Sequence, residues 1–182
     1  MGHPLKVVPL AAVSILINYI EGIQIYLSGE DSNGKSFKFF EDGFSKIFKP
    51  NHDMSDRVSN NADKYVAKAI YKQVRCGFSH DGMFRYTILF DNECNHVFLL
   101  TFKKENGKLM YKKDVESIII NPKKLYNAIE AHFNLYIREL KKNNDKEMSD
   151  NFRKAVGLKW NLNKDSIVIG VSEKDYTDNY RS

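Results

Sequence analysis

The chain has 182 residues, 42% hydrophobic and 13% aromatic, which excludes a disordered chain and fits one domain with enough apolar material for a core. Its formal net charge is +5, from 28 Lys+Arg against 23 Asp+Glu. That balance admits an anionic partner such as RNA, but the lysines are spread in pairs (Lys103-Lys104, Lys112-Lys113, Lys123-Lys124, Lys141-Lys142), as on an ordinary solvated surface rather than a dedicated nucleic-acid face.

Lys6 precedes the apolar run Val7 to Ile17, a pattern that resembles a signal peptide. Asn18, Tyr19 and Glu21 then follow without a small-residue cleavage site, and the run is too short to span a bilayer. A buried helix of a soluble protein with no membrane contact is expected. Pro9 suits a first helical turn, and Leu10, Val13, Ile17, Ile20 and Leu27 recur near helical spacing, so a central helix is predicted over about 9–27. Gly29 and Asn33-Gly34 break it. Phe37, Phe40, Phe44, Ile47 and Phe48 mark a second helix that ends before Pro50. A polar loop follows over 51–61.

A third helix is predicted from about Ala62, with Val66, Ile70 and Val74 on one stripe. Gly77 weakens its C-terminal end, and Asp81-Gly82 reads as a turn. The pattern then changes to short runs, partly aromatic and β-branched, at 84–90 and 96–102, which read as strands. Asn106-Gly107 is the strongest hairpin signal and is expected to join the second strand to Lys108-Leu109-Met110-Tyr111. Val115 to Ile120 reads as a further strand. Asn121-Pro122 is a helix start, and Leu125, Ile129, Phe133, Tyr136 and Leu140 form the apolar stripe of a long helix. A short helix at 146–156, a last strand at 166–171 and a loose tail complete the reading. Two cysteines, Cys76 and Cys94, are too few for a disulfide framework and read as reduced thiols of a cytoplasmic protein.

The segment Arg75-Cys76-Gly77-Phe78-Ser79-His80 carries the most chemistry. An imidazole can take the proton from a ribose 2′-hydroxyl or return one to the leaving oxygen, and a guanidinium can clamp the phosphate, so Arg and His together can cleave a phosphodiester without a metal. Five residues apart on an ideal helix, the two side chains diverge by roughly 140°. They need a break at Gly77 or a second copy of the site. Read without further context, the same pair is a surface Arg and a turn-stabilising His beside Asp81-Gly82.

Val74-Arg75-Cys76-Gly77-Phe78-Ser79-His80-Asp81-Gly82 resembles the motif of HEPN domains, an Arg, four to six residues, then a His. The lead-in Ala69-Ile70-Tyr71-Lys72 and the helix ending Tyr136-Ile137-Arg138-Glu139-Leu140 are similar to some bacterial members. The resemblance implies an α-helical bundle, here an α+β fold: a HEPN-like helical core over about 9–82 and 121–143, a small antiparallel sheet inserted over about 84–120, and a C-terminal extension over 144–182. It also implies a metal-independent ribonuclease of toxin or phage-defence type, working as a homodimer with two motifs in one cleft. By transfer Arg75 would bind phosphate and His80 would act as acid or base. RNA, and a protein antitoxin or regulator, are the partners this implies. Active members usually carry Asn, Asp or His after the Arg, whereas this chain has Cys76, a poor hydrogen-bond donor. That departure keeps open a catalytically silent module for dimerisation or partner binding. An α+β domain unrelated to HEPN also remains open.

Ser79 and Asp81 are the nearest polar residues that could orient His80. Glu21 interrupts the first apolar helix; it is expected at the solvent edge, with a place as the buried partner of a cation such as Arg75 as the other option. Asp91, Cys94 and His96 lack the ligand count of a zinc site, and a turn explains Asp91-Asn92-Glu93 better. His132 reads as a helix-packing residue, and His52 lies in the polar loop without a neighbouring partner. Gly29-x4-Gly34-Lys35-Ser36 matches a P-loop formally, but it follows a helix rather than a strand. No cofactor and no metal are expected.

Overall fold

The computed structural model describes residues 10–48, 62–81, 83–84, 86–105, 108–109 and 115–160. The chain is a mixed α+β fold. Helix α1 spans Leu10–Ser28 and buries Val13, Ile17, Ile20, Ile23 and Ile25. By length and apolarity it could cross a membrane, yet here it packs against three other α-helices and a π-helical segment. The first of these is α2 (Ser36–Ile47), whose Phe40 and Phe44 lie in the main core. The two helices touch closely at Gly43, where a Cβ would overlap the carbonyl oxygen of Ile20. The second is α5 (Pro122–Lys142), which inserts Leu125 and Ile129 into the same core.

The third is α6 (Lys146–Trp160). It runs four residues beyond the expected end and seats Ala155, fully buried, against Ile25 and Phe39. Gly29 ends α1 in the left-handed region at φ +67° and donates to the Ile25 carbonyl at 2.9 Å. Asn151 of α6 closes the same helix end, donating to the Leu27 carbonyl at 2.9 Å. The predicted strand at 166–171 and the tail lie outside the described residues.

The third predicted helix is one continuous rod in three parts. An α-helical stretch, α3 (Ala62–Ala69), leads into a π-helical segment at Ile70–Arg75, and α4 (Cys76–Asp81) follows. Ile70 and Val74 are fully buried against α1, as the four-residue spacing predicts. Helical backbone continues through Gly77, so of the two ways to bring Arg75 and His80 together a break at Gly77 is not the one taken. Gly77 is buried, and a buried position without a side chain can remain helical because packing, rather than intrinsic propensity, decides.

The strands are β1 (Ile88–Phe90), β2 (Phe98–Phe102), β3 (Lys104–Glu105), β4 (Lys108–Leu109) and β5 (Val115–Ile120). The sheet is mixed rather than antiparallel. Its order is β1-β5-β2, with β5 parallel to β1 and antiparallel to β2. The reason lies in burial. Ile118 and Ile120 are fully buried, so β5 takes the central place and separates two strands that are neighbours in sequence. The inward face is Ile88, Phe90, Phe98, Leu100, Ile118 and Ile120, and Phe98 meets Phe44 and Phe48 of the second helix region. Asn106-Gly107 lies outside the described residues. Its flanks, β3 and β4, pair antiparallel with Glu105 opposite Lys108, as a ladder separate from the main sheet.

Asn121 starts α5 as expected. Its Oδ1 accepts from the Lys124 amide at 3.0 Å, and its Nδ2 donates to the carbonyls of Asn92 and Cys94 at 2.8 Å each. Its own amide donates to the Val97 carbonyl at 2.9 Å.

Candidate functional site

Arg75 is the last residue of the π-helical segment, a widened turn of a kind often found at functional sites. Its guanidinium lies across from α1, where Nη2 sits 2.8 Å from Oε2 of Glu21. The Glu21 side chain is only 9% exposed and that of Arg75 23%, so the carboxylate is buried and the guanidinium largely so. Glu21 is therefore not at the solvent edge, as expected for an acidic residue on an apolar helix; it is the buried partner of Arg75. The physical cause is the cost of burying either charge alone.

The pair is held by charge more than by aligned hydrogen bonds. Among the described residues, Oε2 of Glu21 and Nε of Arg75 are both buried without a hydrogen-bond partner, as is Oε1 of Gln24 one turn along α1. The guanidinium carbon also lies 5.5 Å from the centre of the Tyr71 ring, four residues back. Burial, followed by the neighbouring Cys76 side chain, pushes the Tyr71 hydroxyl up from its ordinary value, against the pull of Arg75. Cys76 is a free, half-buried thiol on the Tyr71 side of this cluster.

A cleft of about 540 Å³ opens over the pair. Glu21 and Asn18 of α1, Asp31 and Ser36 around the loop into α2, Arg75, and Lys159 of α6 line it. Lys159 Nζ stands 4.0 Å from Asp31 Oδ1. Asp31 also accepts from the Asn33 amide at 3.0 Å, which shapes the loop. Lys159 and Asp31 were not legible as site residues, because only the docking of α6 on α1 brings them to Arg75. Asn18 gave one signal: it is a polar residue three positions before Glu21, on the same side of an apolar helix.

His80 lies in α4, and its side chain, with those of Ser79 and Asp81, lies outside the described residues. The backbone still constrains it. Regular α-helix from Cys76 onward sets positions 75 and 80 about 140° apart around the axis. The sheet side of this rod is anchored by Phe78, 5.0 Å from Phe84, which in turn meets Phe90 of β1 at 5.5 Å.

The remaining candidates that lie among the described residues sit in structural settings. Asp91 forms a turn, its Oδ1 accepting from the Glu93 amide at 2.9 Å, and among the described residues no three His, Cys, Asp or Glu side chains converge to hold a metal. Lys35 of the P-loop-like string pairs with Glu30 at 3.2 Å, and the helix before Gly29 is α1. His132 packs between α5 and α1, its Nδ1 3.1 Å from the Tyr19 hydroxyl. Burial, then Lys46, lowers the His132 pKa; burial, then Tyr136, raises Tyr19 to about 12. The Tyr19 hydroxyl and His132 Nδ1 thus share a hydrogen bond whose direction is set by the imidazole tautomer. His52 lies outside the described residues. Comparison of the chain with family models, curated proteins and solved structures found no match.

Proposed function

We propose that this chain is a HEPN-like, metal-independent ribonuclease module of toxin or phage-defence type, working in the cytoplasm on RNA at a cleft shared by two copies. Arg75 holds the scissile phosphate, and His80 moves a proton to or from the ribose 2′-hydroxyl or the leaving oxygen. The observation that carries this reading is Arg75 itself, set on a π-helical turn at the floor of a solvent-open polar cleft. The roughly 140° between positions 75 and 80 is the reason for invoking a second copy, whose motif would supply what one chain leaves apart. A protein antitoxin or regulator would be the natural partner of such a module.

A second reading is a catalytically silent HEPN-like module for dimerisation or partner binding. The Arg75–Glu21 pair favours it, because Glu21 already neutralises the guanidinium that a phosphate would need. Cys76 in place of a strong donor after the Arg favours it too.

The deciding experiment is RNA cleavage in the presence of EDTA by wild type, His80→Ala and Arg75→Ala, with light scattering on the same samples. The ribonuclease reading expects a dimer, cleavage by wild type, and none by His80→Ala with its fold intact. Cleavage that survives both substitutions sinks it. A dimer that never cleaves RNA leaves the silent module standing.

A further inference from the structure

The cleft over Arg75 is balanced in charge. Among the described residues that line it, Glu21 and Asp31 are carboxylates and Arg75 and Lys159 are cations, so the charges cancel. The balance has two unequal halves. Asp31 and Lys159 are well exposed and 4.0 Å apart, so water and salt screen them. Glu21 is buried directly against Arg75, at 2.8 Å, where screening is weakest. Any anion that reaches Arg75 also meets the field of Glu21.

We propose that Glu21 is a specificity-determining positioning residue: it holds the Arg75 guanidinium at the cleft floor and cancels most of the advantage that a doubly charged anion would otherwise gain there over a singly charged one. The inference rests on the proposed binding of phosphate by Arg75. A phosphodiester within an RNA strand carries one charge and is tolerated. A terminal phosphate monoester carries nearly two at neutral pH, and the buried carboxylate repels it about twice as strongly. Asn18 and Ser36 line the same cleft and are neutral; each donates to a backbone carbonyl four residues back and keeps its side-chain oxygen to accept from the uncharged sugar or base of such a ligand. Removing one charge about 6 Å from the phosphate, at an effective dielectric of about 40, changes affinity by roughly tenfold per ligand charge.

The test measures dissociation constants at pH 7.5 and low salt for two probes, a dinucleoside monophosphate (one charge) and a nucleoside 3′-monophosphate (nearly two). The proteins are full-length wild type, Arg75→Ala, Glu21→Gln and Asp31→Asn. Glu21→Gln is expected to tighten the monophosphate more than the diester, moving the ratio of the two by about tenfold. Asp31→Asn, which keeps an oxygen for the Asn33 amide, is expected to move the ratio the same way by only about two- to threefold. A merely structural role for Glu21 would change the melting temperature without changing this ratio. If Arg75→Ala weakens both probes but neither Glu21→Gln nor Asp31→Asn moves the ratio, charge selection by Glu21 is overturned and phosphate binding stands. If wild type and Arg75→Ala are alike on both probes, phosphate binding itself falls and charge selection falls with it. Should Glu21→Gln fail to fold, wild type decides: a nucleoside 3′-monophosphate bound about tenfold or more tightly than the dinucleoside monophosphate overturns charge selection by Glu21, and near-equal affinities uphold it.

Discussion

Two buried polar junctions hold this molecule together, and they are built on opposite terms. At Asn121, between the sheet and α5, a fully buried amide makes every bond it can reach, with one oxygen on a helix amide and one nitrogen on two turn carbonyls. At Glu21 and Arg75, between α1 and the π-helical turn, the charges are close, yet Oε2, Nε and the nearby Gln24 Oε1 find no hydrogen-bond partner among the described residues. A satisfied neutral junction fixes one geometry. A charged junction with unmet bonds beneath an open cleft holds polar groups in reserve, and such groups in a native structure call for an explanation beyond stability.

The largest expected effect is at the satisfied junction. Asn121→Ala removes the helix cap and strands two carbonyls, and is expected to destabilise by about 3 kcal/mol in urea unfolding. A loss below about 1 kcal/mol would mean that water replaces the amide and that the junction is no anchor. Asn121→Asp keeps the cap acceptor but turns both carbonyls toward a carboxylate; about 2 kcal/mol is expected.

The charged junction should respond differently to single and paired changes. Glu21→Ala leaves Arg75 largely buried without its partner, and a loss of about 2 kcal/mol is expected, reduced from the fully buried case by the exposure of the guanidinium. Replacing both, as Glu21→Met with Arg75→Met, should fall within about 1 kcal/mol of wild type, since apolar side chains of similar volume remove the desolvation cost along with the attraction. A double variant as unstable as Glu21→Ala would make this junction structural after all and dissolve the contrast with Asn121.

The smallest expected effect concerns pH. His132 is held neutral by burial, its folded pKa lying below the unfolded value. The unfolded state therefore takes up the proton first. This contribution to stability is present above the unfolded value of about 6.5 and is lost as pH falls below it toward the folded pKa. Urea midpoints at pH 7.5 and 5.5 should drop less for His132→Gln than for wild type. An equal drop would remove His132 from the pH response.

Much of the architecture was legible because its cause is local. Pro122 after Asn121 places a helix start, since the ring suits a first turn and the amide caps it. The spacing of Val13, Ile17 and Ile20, and of Ile70 and Val74, states which side of each helix is buried, whatever it is buried against. Gly29 marks the end of α1 because its positive φ is open to glycine and costly for most other residues.

What depended on partners distant in the chain was not legible. The three isoleucines 118–120 announce a strand, but that this strand is central, parallel to β1 and antiparallel to β2, follows from how the inward faces fill the space beside Phe44. The π-helical widening at 70–75 has no signature in Ile-Tyr-Lys-Gln-Val-Arg, residues that an ordinary α-helix accepts equally well. Glu21 on an apolar helix reads as a solvent edge until α1 is laid against the turn that carries Arg75, 54 positions later by the numbering of the pair. Lys159 joins the cleft only through the docking of α6. Local sequence determines which backbone states are cheap; the pairing of buried charges and the order of strands are settled by long-range packing, where the cost of an unpaired buried group selects among arrangements that local propensity leaves equal.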